Sequence, residues 1–250
     1  MKRLELIGLN GLGEVRTGDS IGGLICEVCA RQQISLQTND VVVVAQKIIS
    51  KAEGRVRSLD EIKPSTRAVE LGPELSKDPE LIEIILSESR RIVRRGGRAL
   101  IVETHHGFVC ANAGVDQSNV GLKQVTLLPE DPDRSARQLR SAIYQRTGKL
   151  LGIIISDSFG RSWRLGTVDV AIGIAGMAPI KDERGMHDRY GYELKAAVSA
   201  VADELAAAAE LVMGKRDNVP VVLVRGYDVE TTEDGSAREL LRPEAEDLFR

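Results

Sequence analysis

Residues 151–166 read LGIIISDSFGRSWRLG, and the rest of the chain is organised around this stretch. Gly152, Ile153, Ile154 and Ile155 form a short, mostly β-branched run, the pattern of a strand buried on both faces. Ser156, Asp157 and Ser158 follow, then Gly160. The spacing predicts that the strand ends there and presents a carboxylate and two hydroxyls at the edge of a rigid scaffold. An acid beside hydroxyls suits a hard cation such as magnesium or manganese. Arg161 and Arg164 lie within seven residues of Asp157 and suit carboxylates or phosphates. The same Asp and Ser would equally cap the N-terminus of a following helix, and the stretch by itself leaves both readings open.

The chain has 250 residues, enough for one large domain or two small ones. Aromatic residues make up 3%, so the core must be aliphatic and base-stacking platforms are not expected. A net charge of -3 calls for neither nucleic acid nor an anionic membrane as partner. No stretch approaches the ~18 apolar residues of a membrane span, and the N-terminus has no long apolar region. Cys26 and Cys29 form a C-x2-C without a second pair, and the three histidines are not spaced for zinc. These cysteines read as small core residues of a soluble, reduced, cytoplasmic protein.

Outward from the central stretch, residues 4–7, 41–44, 122–128, 168–175 and 219–224 read as strands. Along residues 168–175, Val168, Val170, Ile172 and Ile174 share a face and Asp169 points the other way. Asp19 and Ser20 can cap a helix carrying Ile21, Leu24, Ile25 and Val28. Residues 61–97 read as helical, with the arginines of residues 90–98 as a solvated helix end stopped by Gly96 and Gly97. Residues 99–102 and 108–111 read as paired strands around a His105-His106-Gly107 turn. Helices are expected over residues 135–147, ended by Gly148, and over 194–213, with a short one at 236–241. Residues 181–193 form a charged loop.

Two further stretches carry chemistry. Gln46, Lys47 and Lys51 follow a core strand directly, where lysines either cradle phosphates or sit on a solvated face. Asp116 lies in the polar stretch NAGVDQSN (112–119), again after a strand. It is either the second acid of a divalent-cation site or part of an Asx-turn loop. No Walker-type phosphate loop, G-x-S-x-G, HExxH or EF-hand loop is present.

Four stretches together, SKAEGR (50–55), NAGVDQSNV (112–120), ISDSFGR (155–161) and VVLVRG (221–226), resemble the coenzyme F420-0:L-glutamate ligase (gamma-glutamyl ligase) family over essentially the whole chain. GSARELLRP (235–243) looks most like the bacterial branch, here as a stand-alone ligase domain without a fused nitroreductase-like domain. The resemblance implies an α+β fold of two intertwined subdomains within residues 1–250, with mixed sheets, packed helices and no P-loop. It implies a GTP-dependent ligase that adds L-glutamate to coenzyme F420-0, and the related F420-1:gamma-L-glutamate step. It also implies a divalent cation (Mn2+ or Mg2+), a monovalent cation (K+) and a homodimer. Asp116 and Asp157 match metal ligands, and Ser158 stands where a threonine assists a second metal. Leu12, Gly13, Glu14, Val15, Gln46, Lys47, Lys51 and Asn119 match nucleotide contacts, as do Met213, Gly214, Lys215, Arg216, Asp217, Asn218 and Val219. Lys215 departs from the family, since archaeal members place a glutamate for the second metal there. On this reading Lys47, Lys51 and Arg161 carry the catalytic positive charge. Two rivals stand beside it: the same chemistry on another acid acceptor, and a non-catalytic GTP-binding protein.

Overall fold

The computed structural model describes residues 3–248. In chain order the elements are β1 (Glu5–Gly8), α1 (Ile21–Arg31), β2 (Val41–Ala45), α2 (Gln46–Ala52), β3 (Val56–Ser58), α3 (Thr66–Leu75), α4 (Pro79–Ser87), β4 (Ser89–Gly96), β5 (Ala99–Thr104), β6 (Val109–Ala111), β7 (Gln124–Thr126), α5 (Pro132–Thr147), β8 (Gly152–Arg161), β9 (Arg164–Ala175), β10 (Lys181–Asp182), β11 (Val198–Ser199), α6 (Val201–Met213) and β12 (Val221–Arg225). The fold is α+β, as expected, with several separate sheets.

The main sheet has the order β1-β12-β2-β8-β9. Only β2 and β8 run parallel, with Val43 opposite Ile154 and Ala45 opposite Ser156. Residues 41–44 and 153–155 are all essentially inaccessible. Successive residues of a strand point to opposite faces, so both faces of this pair are covered. The cover comes from α5 against β8 and β9, α1 against α5, and α6 against β9 and β12. Gly22 permits the close α1–α5 approach, since a Cβ there would lie 2.8 Å from that of Ala142.

A second cluster of buried apolar side chains is separate from the first. It joins Leu71, Leu75, Ile82 and Ile85 of α3 and α4 to Leu100 and Val102 of β5, and to Ala113, Val125 and Leu127. All of it comes from residues 59–127, between α2 and α5 of the main unit.

Several expectations are corrected. The central strand does not end at residue 155: β8 continues to Arg161, and β9 begins at Arg164 rather than at Val168. Asp157 is therefore a strand residue and caps no helix. Polar residues are tolerated there because Ser156 and Ser158 donate across the strand pair to Asp169, at 2.9 and 2.6 Å. Residues 89–96 are a strand, not a helix end. The β-branched pair Ile92-Val93 and a tight turn with Gly97 at φ +56° set up a hairpin with β5. Three of its arginines have acid partners: Arg90 and Arg91 lie 3.3 and 2.7 Å from the buried Glu103, and Arg95 lies 3.1 Å from Glu74. The alanine-rich helix starts at Val201, because residues 198–199 are taken up by pairing with β10. Helix α5 starts three residues early, at Pro132, where Asp131 caps it by accepting from Arg134 N at 2.9 Å. Only Gln124–Thr126 of the stretch 122–128 is a strand, and Leu122 is exposed. Among the described residues no helix is long and apolar enough to cross a membrane, and Cys26, Cys29 and Cys110 are free thiols.

Candidate functional site

The site lies where the parallel pairing of β2 with β8 ends, at Ala45 and Ser156, with Asp157 the next residue of the longer strand β8. Helix α2 begins immediately after β2, so Lys47 leaves the sheet beside Ser156 and Asp157. Asp116 is held from the other unit. Its backbone exchanges hydrogen bonds with Thr126, N–H to O at 3.1 Å and O from N–H at 2.8 Å. Lys47 Nζ lies 2.7 Å from Asp116 Oδ2 and donates to Ser118 Oγ at 2.5 Å, one of several links across this region, the Arg55–Glu88 ion pair at 2.7 Å and the β3–β7 pairing among them.

The two acids differ in charge state. Burial pushes the Asp116 carboxyl up. Hydrogen bonds from Lys47 and from the Ser118 backbone and hydroxyl outweigh it and hold the group below the ordinary carboxylate range. The Asp157 carboxyl is pushed up to about 7, chiefly by burial. The Ser118-like support it receives, a backbone hydrogen bond at Ser158, is offset by the nearby charges of Asp169 and Asp116. Lys47 is thus the counter-charge for Asp116, while Asp157 lies beside two further acids with too little positive charge.

The carboxyl groups of Asp116, Asp157 and Asp169 outnumber the ammonium groups of Lys47 and Lys215 here. Among the described residues no group of three or more His, Cys, Asp or Glu side chains is arranged to hold a metal alone. A hard cation taken by Asp116 and Asp157 would complete its oxygen shell with phosphate and water, as magnesium commonly does. Ser158 lies beside these acids but is engaged: its hydroxyl donates to Asp169 and accepts from Lys215 Nζ. Asp169 is the member of this cluster that the sequence reading passed over. Its signal was a lone carboxylate in an aliphatic strand, on the face opposite Val168 and Val170.

The other expected residues fall around this centre unevenly. Lys51 donates to Glu14 at 2.6 Å, tying the loop that carries Leu12, Gly13, Glu14 and Val15 to α2. Leu12 and Val15 are buried in that loop, and Gly13 takes φ +80°. Gln46 is buried, and its side-chain oxygen accepts from Ser50 at 2.7 Å. Asn119 is exposed with φ +56°, one residue beyond Ser118. Met213 closes α6 and is buried, and Gly214, Lys215, Arg216, Asp217 and Asn218 are exposed before half-buried Val219. Within this loop Lys215 reaches the centre, through Ser158. Arg161 lies at the far end of β8, about 13 Å along the strand from Asp157 at 3.3 Å per residue, and donates to Leu165 O at 2.6 Å across the hairpin. Asp116, Asp157, Lys47, Ser158 and Lys215 are brought together, and Arg161 is not brought to them.

The chain matches the family described as F420-0:Gamma-glutamyl ligase over residues 11–226. It is 47% identical to the "Coenzyme F420:L-glutamate ligase" of Methanothermobacter thermautotrophicus, over 99% of both chains. It is 44% identical to the protein of the same name from Methanocaldococcus jannaschii, over 100% of this chain and 98% of the other. A third relative of that name, from Archaeoglobus fulgidus, is 42% identical over 99% and 97%. These relatives are archaeal and lend no support to the bacterial branch expected from residues 235–243. From its match over residues 11–226 and its full-length similarity to these ligases, the chain belongs to the F420-0:Gamma-glutamyl ligase family.

Proposed function

We propose that this protein is a GTP-dependent ligase that joins L-glutamate to coenzyme F420-0 through an amide bond, in the biosynthesis of F420. The observation that carries the reading is the convergence of Asp116, Asp157 and Lys47 where the pairing of β2 with β8 ends, in a chain similar over its full length to ligases named for this reaction.

A free carboxylate does not form an amide at a useful rate, because oxide is a poor leaving group. The acceptor's terminal carboxylate oxygen therefore attacks the γ-phosphorus of GTP, and GDP departs. The α-amine of glutamate then attacks the acyl carbon, inorganic phosphate leaves, and the amine gives up its proton. Asp116 and Asp157 hold a divalent cation, Mn2+ or Mg2+, which when bound screens the phosphate charge. Lys47 and Lys51 stabilise charge on the transferring group, with Glu14 and Asp116 as their partners until the nucleotide arrives. Residues 12–15, Gln46, Asn119 and residues 213–219 form the nucleotide's surroundings. Lys215 supplies positive charge at Ser158, where the family's second metal is expected. Arg161 or Arg164, both on the hairpin away from the acid centre, clamps a substrate carboxylate.

The same reading includes K+ as monovalent cation, a homodimer, and a location in the cytoplasm, where GTP is made. The two apolar clusters correspond to two subdomains of one ligase unit. The test is phosphate release from GTP with manganese or magnesium, L-glutamate and the F420 precursor, each omitted in turn. Release that needs every component, with a product heavier by one glutamyl unit, supports the ligase. Release indifferent to the precursor points to another acid acceptor. GTP binding without release points to a non-catalytic protein.

A further inference from the structure

Beside the acid centre, on the side of the second unit, lies an open cavity of 450 Å³. One wall is Asn112, Val115 and Asp116 from the segment after β6, and the other is Lys77 from the turn between α3 and α4 with Leu81 and Ile85 of α4. Asp116 is the one lining residue with a role assigned above; Lys77, Leu81, Ile85, Asn112 and Val115 have none. Three features describe what it would take.

The first is charge. Lys77 is half-buried at the cavity, and among the described residues no carboxylate pairs with it. Most surface lysines of this chain near an acid are paired, as Lys51, Lys123 and Lys181 are. An ammonium held in a concavity without a partner selects for an anion. The second is an unspent polar group. The Asn112 side-chain oxygen is buried without a hydrogen-bond partner among the described residues, and its backbone takes φ +55°. A buried carbonyl left unpaired costs about 1–3 kcal/mol, and such orphans call for a ligand or another explanation. Asn112 is among the residues that line the cavity. The third is shape and lining. No aromatic side chain lines the cavity, so nothing there stacks on a flat heteroaromatic ring. Leu81 and Ile85 form its floor and are themselves nearly inaccessible, leaving a short aliphatic base under a polar rim.

A small aliphatic anion with an N–H group fits these features better than a deazaflavin. On the ligase reading of the preceding subsection, the reaction has such a substrate. We infer that the cavity between α4 and residues 112–118 is the L-glutamate subsite. Lys77 pairs with one of the glutamate carboxylates, and Asn112 accepts from its amine, which faces Asp116 and the acyl group to be attacked. Lys77 and Asn112 are substrate-binding residues on this assignment and take no part in phosphate transfer.

The experiment compares wild-type protein with Lys77→Met and Lys77→Arg in the full assay, varying GTP, precursor and L-glutamate separately. Lys77→Met is expected to raise the KM for L-glutamate about tenfold or more, with the KM values for GTP and precursor within about twofold and Lys77→Arg close to wild type. Wild type should also discriminate against glutamine and isoglutamine, each lacking one carboxylate. Lys77→Met should lose discrimination against the analogue whose missing carboxylate Lys77 binds. A rise confined to the precursor's KM would assign the cavity to the acceptor and overturn the proposal, as would three unchanged KM values. Absence of glutamate-dependent product from wild type is a different result, since it defeats the ligase reading itself. Melting curves of all three proteins establish that they are folded before any KM is compared.

Discussion

At the residue scale, the charged form of Asp157 is held in its strand at a cost to stability, which protonation, or a bound cation on the proposed reading, would relieve. Its carboxyl is raised to about 7 by burial and by neighbouring acids. Asp157→Asn removes the charge and keeps the shape. This variant is expected to melt at a higher temperature than wild type in metal-free buffer at pH 8, and to lose at least about 100-fold in phosphate release. Added manganese should raise the wild-type Tm and leave the variant's unchanged. An equal manganese shift in both proteins would remove Asp157 from the cation site. Asp116→Asn, by contrast, leaves the Lys47 ammonium without its anion, so it should lose activity without gaining stability.

His106 gives a separate pH dependence. Burial lowers its pKa, against hydrogen bonding to backbone carbonyls such as Pro129 O at 2.8 Å and the charge of Glu88, with Arg55 adding to the depression. A histidine depressed in the folded state binds its proton more readily when unfolded. Its contribution is therefore fully present above the unfolded pKa of about 6.5 and is lost as pH falls through the folded value. Chemical denaturation from pH 7.5 to 5 should show falling stability, and His106→Gln should flatten that slope. The slope persisting unchanged in the variant would assign it to other groups.

At the element scale, the junction of α5 with β9 allows no added atom. A Cβ at Gly173 would lie 2.4 Å from the Pro132 carbonyl oxygen, a backbone atom that cannot swing aside. Gly173→Ala should destabilise by about 1–3 kcal/mol in urea titrations. Asp133 of α5 ties two other elements, β9 and the turn at residues 236–240, to its helix at the same place. It accepts from Ile174 N at 2.8 Å, from Ala237 N at 3.0 Å and from Ser236 Oγ at 2.5 Å. Asp133→Ala should cost about 1–3 kcal/mol and speed proteolytic cleavage beyond residue 226, because the capped turn at residues 237–240 loses its anchor. Unchanged cleavage would mean that the rest of the tail's packing suffices.

At the scale of the whole molecule, the acid centre draws on residues beside both buried apolar clusters. Asp157 and Lys47 stand on the main sheet, and Asp116 stands on a loop whose Ala113 and Val115 pack into the second cluster. Ile82 is fully buried in that cluster. Ile82→Ala should cost about 2–5 kcal/mol, concentrated in the second unit. Hydrogen exchange should then show protection lost first in α3, α4, β4 and β5, with β2 and β8 still protected. Activity should fall with the second unit, since Asp116 moves with it. Uniform loss of protection would show that the two clusters unfold as one.

The sequence by itself determined the buried strands, the lack of a phosphate loop, and the candidates Asp116, Asp157, Lys47 and Lys51. Runs such as VVVV and GIII have no other use than a covered sheet, and acids placed directly after such runs are conspicuous in one dimension. What only the tertiary structure decided are matters of pairing. Strand β8 runs through its polar residues because Asp169, eleven residues beyond Ser158, satisfies their hydroxyls. The arginine-rich stretch is a strand because a hairpin partner and buried Glu103 receive it. Lys47 meets Asp116, and Lys77 faces Asn112, across separations of 69 and 35 residues that no local pattern encodes. Local periodicity reports which face of an element is apolar. It carries no information on which distant side chain will neutralise a charge, because that depends on how the elements pack.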